Sequence, residues 1–578
     1  MKTSKLCYNK YTLSGTTKTL YSLLCLLFLK GDFMSLYILI IAVIIIICLS
    51  LSKVSSKLGV PVLLLFIFLG MIFGSDGIFK IPFSDFSFAE SICTISLIFI
   101  MFYGGFGTNW KSAKKVAPQS VLLSTVGVVL TAGIVGLFCC FVLKFDFLES
   151  MLIGAVISST DAASVFSILR SKRLNLKYNT ASLLEVESGS NDPCSYMLTV
   201  ILLSLIQGNT EPMSIIYMIF TQLFFGVAVG IAAALLSYLM LTKTNLDKNG
   251  FGSILVFAMA LVSYAGASTI GGNGYLSVYI TGIILGNMEI PNKKSLVHFF
   301  DGITGLMQIL IFFLLGLLSF PSDMVSVILP ALAIAVFLTF VARPLSVFAI
   351  LTPFKCPVRQ QLLVSWSGLR GAASIVFAIV ALVSPAVLKN DIFHIVFFIV
   401  LFSIALQGTL IPFFAKKLNM IDNKSDVMKT FNDYTREAPV EFIKLPITAD
   451  HPWVNKKIKN IKFLPNTMLA LIIRDDHQIV PRGNTALIDG DVAVLSGPSL
   501  DEKAVGSLTE IEIDSDNEWL GKTLSEIRLD SDKLVILIKR GNRIIMPTGK
   551  TKIKENDILI INKTQKKKTK QKLEKINS

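Results

Sequence analysis

The stretch EVESGSNDP, residues 185–193, and the shorter STDAA, residues 159–163, place carboxylates inside two successive apolar segments of this chain. Each of those segments is long enough to span a bilayer. A carboxylate near the bilayer centre is costly unless it is paired, protonated or in contact with an ion. Such residues on two successive segments therefore indicate a path for a cation or a proton.

The composition of the whole chain is typical of a membrane protein. Its 578 residues are 53% hydrophobic and only 16% charged, which is too apolar for a soluble protein of this size. The eight cysteines show neither zinc-ligand nor redox spacing, so we interpret them as packing residues. A net charge of +15 would suggest nucleic acid in a soluble protein. Here the basic loops between apolar segments explain much of it, and we expect no nucleic-acid partner.

Apolar runs of transmembrane length recur through residues 34–418, the predicted membrane domain, and indicate about thirteen helices. When alternate loops are compared, one set holds fifteen lysines and arginines and the other holds three. The positive-inside rule then places everything after Lys417 in the cytoplasm. We therefore expect a multi-pass protein of the plasma membrane. The predicted helices are centred near residues 43, 68, 97, 131, 158, 197, 228, 259, 282, 310, 334, 372 and 403.

The rest of the chain divides into an extension, a linker and a tail. Residues 1–33 contain an apolar piece too short to span, which is expected of a signal-like leader or of a start-site artefact; we favour a true start at Met34. A repeat with an offset of 66 residues defines two strand-rich units after the linker. The predicted boundaries are 419–437 for the linker, 438–500 and 505–563 for the units, and 564–578 for a basic tail.

The polar residues within 185–193 define a candidate ion site. Glu187, Ser188 and Asn191 share one face of a helix, with Asp192 beside them. Carboxylate, hydroxyl and amide oxygens suit a hard alkali cation, whereas imidazole or thiol clusters would suit a transition metal. A buried carboxylate without a counterion binds a proton readily, so proton and cation can compete for it.

A purely structural role for these acids is the alternative. Arg343 and Arg370 lie deep in later apolar segments and are possible counterions. We expect such pairing for Glu187. For Asp192, with a hydroxyl and an amide close by in sequence, we expect ion binding instead.

At these residues the chain resembles the NhaP-type cation/proton antiporters, a family related to the animal sodium/proton exchangers. The resemblance implies a polytopic α-helical membrane domain of inverted repeats with two interrupted crossing helices, working as a homodimer with an elevator-like core. The ESGSNDP form, together with a tail of RCK-type C-terminal (TrkA-C-like) repeats, which are α+β units, is most similar to the bacterial potassium/proton branch. The matching stretches are STDAASVF (159–166), ESGSNDP (187–193), VARP (341–344) and GLRGA (368–372).

The resemblance also implies a role for each residue of the site. Asp192 would hold the alkali cation or the proton, with Asp161 and Ser188 completing the site and Thr160 contributing through its backbone. Asn191 stands where electrogenic relatives carry a second aspartate, which implies electroneutral one-for-one exchange. The structural residues would be Glu187, paired with Arg343, and Arg370, at the helix crossing.

The implied function is exchange of cytoplasmic K⁺, or Na⁺, for H⁺, without a cofactor and without enzymatic activity. Tyr103 stands where the family often has an acid, so the sequence does not decide between the two cations. One alternative is a potassium channel, because RCK-type domains also gate channels. The stretch TIGGNGY, residues 269–275, resembles a carbonyl selectivity filter, although it occurs only once. A transport-like membrane sensor is the other.

The tail is expected to control transport through a cytoplasmic ligand. Related RCK-type units bind cyclic di-AMP or other small effectors, and basic side chains contact phosphates well. The alternative is that the same basic residues are exposed turn charges. The candidate residues are Arg474, His477, Arg540 and Arg543.

Overall fold

The computed structural model divides into two compact units, Met1–Arg436 and Glu437–Ser578. The predicted extension lies outside the described residues except for Phe33, as do most of the linker and the whole basic tail. The described residues are 33–58, 61–172, 174–209, 211–243, 251–320, 322, 327–422, 440–463, 467–474, 477–498, 507–515, 517–527, 533–541, 543–545 and 547–563.

The regular elements of the first unit are helices. Among the described residues, seven segments are long and apolar enough to cross a membrane, and shorter apolar helices lie among them. A multi-pass helical fold is therefore confirmed, whereas the number of crossings stays a prediction. The helices are α1 (Phe33–Leu58), α2 (Val62–Phe73), α3 (Phe86–Gly107), α4 (Trp110–Ala113), α5 (Ala117–Ser124), α6 (Val126–Phe141), α7 (Phe147–Val156), α8 (Ala162–Ser171), α9 (Thr180–Ile206), α10 (Pro212–Lys243), α11 (Phe251–Thr269), α12 (Gly274–Asn287), α13 (Lys293–Leu317), α14 (Ile328–Phe337), α15 (Arg343–Leu351), α16 (Val358–Trp366), α17 (Ala372–Val383), α18 (Ile392–Phe402) and α19 (Thr409–Lys417).

Two of these spans are interrupted, and the interruptions meet. Residues 157–161 separate α7 from α8, and residues 367–371 separate α16 from α17. The backbone N–H of Asp161 donates to the carbonyl of Leu369 at 2.7 Å, which joins the two breaks. A Cβ atom on Gly371 would lie 2.2 Å from Asp161 Oδ2, so this approach requires glycine. The predicted crossing of two broken helices is confirmed.

Small residues let other helices approach closely, as is common where packing rather than the hydrophobic effect joins helices in lipid. A Cβ atom on Gly316 of α13 would lie 2.1 Å from the carbonyl oxygen of Ile67 on α2. On α12, a Cβ atom at Gly282 would likewise lie 2.3 Å from the carbonyl oxygen of Phe102 on α3. These contacts pack α2, α3, α12 and α13 into one group of helices.

The second unit contains two four-stranded antiparallel sheets with the same strand order. The sheet orders are β1-β4-β2-β3 and β5-β8-β6-β7. The register shifts at equivalent positions of β2 and β6, where each pairs with the last strand of its unit. The repeat read from the sequence is therefore confirmed as two similar folds. The strands are β1 (Val440–Pro446), β2 (Met468–Arg474), β3 (His477–Ile479), β4 (Val492–Pro498), β5 (Ser507–Glu512), β6 (Lys533–Arg540), β7 (Arg543–Ile545) and β8 (Asp557–Lys563).

Candidate ion-binding site

Asp192 lies in the middle of α9 and is 8% exposed. The hydroxyl of Ser159, from the break between α7 and α8, donates to its Oδ1 atom. Within the described residues no lysine or arginine forms an ion pair with Asp192. A buried carboxylate in this setting is stable only when it is protonated or holds a cation.

Asp161 closes the same break from the other side, at the start of α8. Its carboxylate accepts from the backbone N–H of Ser164 at 3.1 Å and from the Ser164 hydroxyl at 2.5 Å. This is the arrangement of an N-cap, which satisfies a free N–H of the first helical turn and places negative charge at the positive end of the helix. The sequence folds this way because Asp161 precedes the helix by one residue and Ser164 is its third.

Thr160 is held by two side chains from α9. The Ser188 hydroxyl donates to the Thr160 carbonyl at 2.7 Å, and the Asn191 amide donates to the Thr160 hydroxyl at 2.6 Å. The five predicted ion-site residues therefore meet at one place. Four of them line the adjoining cavity, whereas Asn191 does not. Asn191 therefore contacts the break between α7 and α8 on the side away from the cavity.

Glu187 and Arg343 form a buried ion pair away from the cavity. Arg343 Nη2 lies 2.5 Å from Glu187 Oε1, and the side chains are 3% and 1% exposed. Arg343 follows a π-helical segment, Leu338–Ala342. Each partner keeps one buried atom, Glu187 Oε2 and Arg343 Nε, without a hydrogen bond among the described residues.

Arg370 lies at the helix crossing. Its Nη1 group donates to the carbonyls of Ser158 and Ser159, both at 2.7 Å. These carbonyls follow the C-terminal end of α7, where the helix dipole is negative, so the guanidinium stabilises the broken helix end. In the described part of the chain Arg370 forms no ion pair with an acid of the site, so pairing of that kind is not observed.

A cavity of about 390 Å³ leads to this cluster. Its walls include Tyr103 from the last turns of α3, Glu185 from early α9, and Asp301 from early α13. Those helix ends all join the loops that carry most of the basic residues. The cavity therefore reaches Asp192 from the side that the positive-inside rule assigns to the cytoplasm.

Some residues of the cavity wall, Asp301 first among them, were missed by the sequence reasoning. Tyr103, which the sequence showed in place of the usual acid, donates its hydroxyl to Asp301 Oδ1 at 3.2 Å, so a carboxylate is supplied from another helix. Thr304 and Gln308 follow on the same face of α13, at spacings of three and four residues, and also line the cavity. Asp301 lies eight residues into an apolar helix, and an acid at such a position could have marked it as a candidate site residue. Ser159 was likewise overlooked, although it adjoins Thr160.

Two of the candidate tail residues, Arg474 and Arg540, form ion pairs with aspartates. Arg474 donates to the Asp491 carboxylate through Nε at 2.7 Å and through Nη2 at 2.8 Å. Arg540 donates to the Asp557 carboxylate through the same two atoms, both at 2.7 Å. Hydrogen bonding from Arg474 lowers the pKa of Asp491. Each guanidinium group therefore has an acidic partner close to its own sheet, and phosphate contact by Arg474 and Arg540 stays a prediction.

The structure shows less about the contacts of the other two candidate tail residues, His477 and Arg543. His477 begins β3, opposite Arg474 in the strand register. Arg543 has its backbone in β7, but its side chain lies outside what the structure describes. Phosphate contacts by these two residues stay a prediction.

Comparison with known proteins agrees with this architecture. The family model for the transmembrane sodium/hydrogen exchanger matches residues 38–417, and the TrkA-C domain model matches residues 442–506 and 508–562. The chain is 34% identical to the K(+)/H(+) antiporter NhaP of Alkalimonas amylolytica, over 78% of this chain and 79% of that protein. It is 31% identical to the K(+)/H(+) antiporter NhaP2 of Shewanella sp. strain ANA-3, over 83% and 84%.

A solved structure shares the fold of the membrane unit. The sodium proton antiporter MjNhaP1 of Methanocaldococcus jannaschii superposes with a TM-score of 0.58 at 24% identity, covering 67% of this chain and 99% of that one.

The helical membrane unit, its crossing broken helices and the buried carboxylate between them define a secondary cation/proton antiporter with a soluble regulatory tail. It is a multi-pass membrane transporter and not an enzyme. The chain belongs to the sodium/hydrogen exchanger family.

Proposed function

We propose that this protein exchanges K⁺ for H⁺ at Asp192. The observation that carries the proposal is a buried carboxylate with no basic partner among the described residues, at the end of a cavity and beside two broken helices. The choice of K⁺ is supported by the relatives named K(+)/H(+) antiporters; Na⁺ is the competing cation.

Competition for one carboxylate accounts for coupling. Protonated Asp192 is neutral, and ionised Asp192 with one bound cation is neutral as a pair, whereas the empty anion is costly to move through a low-dielectric interior. The site therefore crosses the membrane in either loaded form. Ser188 and Asp161 supply further oxygens to a dehydrated cation, and Thr160 is positioned between them by Ser188 and Asn191.

We propose electroneutral exchange, with Asp192 as the one carboxylate that exchanges and Asp161 retained as the cap of α8. Asn191 is neutral and donates to Thr160, so it adds no second exchanging charge. Glu187 is compensated by Arg343, and Arg370 is bound to helix carbonyls. One proton for one monovalent cation is the stoichiometry that this charge set supports.

Alternating access is the further part of the proposal. In the structure the cavity reaches Asp192 from the side of the basic loops, which corresponds to an inward-open state. We infer that the helices bearing the broken segments move relative to the group α2, α3, α12 and α13, and that the protein works as a homodimer.

Control by the tail belongs to the same proposal. Two TrkA-C domains support binding of a small cytoplasmic effector, for which cyclic di-AMP is our candidate. The candidate phosphate contacts are Arg474, His477, Arg540 and Arg543, of which Arg474 and Arg540 would contact the effector while paired with Asp491 and Asp557. Calorimetry with the full-length protein and cyclic di-AMP, with cyclic di-GMP as control, tests this; absence of a binding isotherm removes it.

The channel alternative is not favoured by the local geometry of residues 269–275. Thr269 ends α11, Gly271 has a φ of +78°, and the side chain of Asn273 caps α12. The segment is thus a helix-to-helix turn rather than an extended row of carbonyls.

The decisive experiment is a fluorescence-dequenching assay in inverted vesicles. Wild type should dissipate the proton gradient when K⁺ is added, and Asp192→Asn, which cannot exchange a proton, should not. Asp146→Asn is the matched control, because that carboxylate is exposed and pairs with Lys389 outside the site. Equal signals from wild type and Asp192→Asn would reject the mechanism and favour a sensor.

A further inference from the structure

Asn273, at the start of α12, joins three helices. Its side-chain oxygen accepts from the backbone N–H of Leu276 at 3.0 Å, and its amide donates to the carbonyl of Pro193 on α9 at 2.9 Å. Its backbone N–H donates to the carbonyl of Gln222 on α10 at 3.0 Å. The residue is 1% exposed, so all three hydrogen bonds are shielded from water.

Pro193 lies in a weakened turn of α9. Proline has no N–H, so the backbone bond that residue 193 would donate to the carbonyl of Gly189, one turn earlier, is missing. The hydrogen bond from Asn273 to the Pro193 carbonyl ties this turn, which carries Asp192, to a neighbouring helix. Asn273 supplies this hydrogen bond from α12, which packs mainly against α3, α10 and α11.

An aromatic cluster lies on the side of Asn273 and Asp192 that is opposite the cavity. Tyr196 of α9 and Phe377 of α17 meet Tyr275 of α12, with ring centroids 5.0 Å and 6.0 Å away. Tyr264 of α11 stacks edge-on against Tyr275 at 5.1 Å. Because α9 continues from Asp192 toward the end opposite the cavity, these rings fill the outer route to the site.

We propose that Asn273 is a positioning residue that latches α9 to α12 and keeps the outer aromatic cluster closed while the cavity is open to the cytoplasm. The latch must release for Asp192 to face outward. The inference rests on the proposed alternating access at Asp192.

Two substitutions separate the latch from the helix cap. Asn273→Ser keeps a capping oxygen but is too short to reach Pro193, whereas Asn273→Ala removes both functions. The probe is a single cysteine, Thr199→Cys, in a chain whose native cysteines are replaced by serine or alanine. Thr199 is fully buried, lies two turns beyond Asp192 on the same face of α9, and among the described residues its hydroxyl hydrogen-bonds only to its own helix. A membrane-impermeant maleimide is applied to right-side-out vesicles, so it reaches this thiol only from the outer side.

We expect labelling to be about fivefold faster in both variants than in the parent, which is the shift in equilibrium when one neutral hydrogen bond is lost. Unchanged labelling in both variants, or faster labelling in Asn273→Ala alone, would overturn the latch. Labelling does not require exchange, so its outcome is independent of the Asp192→Asn assay. Monodisperse elution of each variant in detergent shows that the protein is folded.

Discussion

The Glu187–Arg343 pair gives the sharpest test of how the site is supported. The two groups are 2.5 Å apart and almost completely buried, at 1% and 3% exposure. Removing one partner leaves an uncompensated charge in the protein interior, which costs about 3–5 kcal/mol. Glu187→Gln and Arg343→Met should each lose this much stability, and each should lose exchange activity because α9 and α15 are no longer held together.

The double variant Glu187→Met/Arg343→Met should be far less damaged than the sum of the single changes. Both charges are then absent, and the pair was incompletely hydrogen-bonded to begin with, since Glu187 Oε2 and Arg343 Nε have no partner among the described residues. We expect the double variant to lie within about 1–2 kcal/mol of wild type.

The assay is thermal unfolding of the purified protein in detergent, followed by circular dichroism, with exchange measured in parallel. The matched control is Asp146→Asn, which removes an exposed ion pair and should change the melting temperature little. Single variants that melt with wild type, or a double variant as unstable as the sum of the singles, would refute a supporting role for this buried pair.

Three other outcomes are expected. Ser159→Ala removes the hydroxyl that donates to Asp192 and should raise the KM for the cation about tenfold, the effect of a hydrogen bond to a charged group, whereas Ser159→Thr should retain it; equal KM values would contradict the contact. Tyr103→Phe should raise KM a few-fold without changing kcat, because Asp301 loses its hydrogen-bond donor in the cavity wall, and Asp301→Asn should raise KM at least as much. A change in kcat alone would argue against a role for these residues in guiding the cation to the site. In the tail, the pKa values of Asp491 and Asp557 are lowered on folding, so their contribution to stability is present at neutral pH and is lost as pH falls below the ordinary carboxyl range; Asp491→Asn should flatten the acid limb of the unfolding curve, and an unchanged pH dependence would exclude the ion pair as its cause.

Much of the fold was accessible from local sequence patterns. Apolar runs identified the helices, and the 66-residue repeat identified the paired sheets, because hydropathy and short-range periodicity are properties of neighbouring residues. The clustering of Asp161, Ser188 and Asp192 also followed, once the resemblance placed both stretches at a crossing. The ion pairs of Arg474 and Arg540 with Asp491 and Asp557 were not predicted, since the partner of each arginine lies 17 residues further along the chain.

By itself, the sequence determined a membrane transporter with an acid in two successive spans and a soluble repeated tail. Only the tertiary structure decided what each polar group contacts: Ser159 on Asp192, Arg370 on the end of α7, and Asp301 beside Tyr103. These contacts join residues that are 33 to 212 positions apart in the chain. Their geometry depends on how helices cross, and a pattern of neighbouring residues carries no information about that crossing.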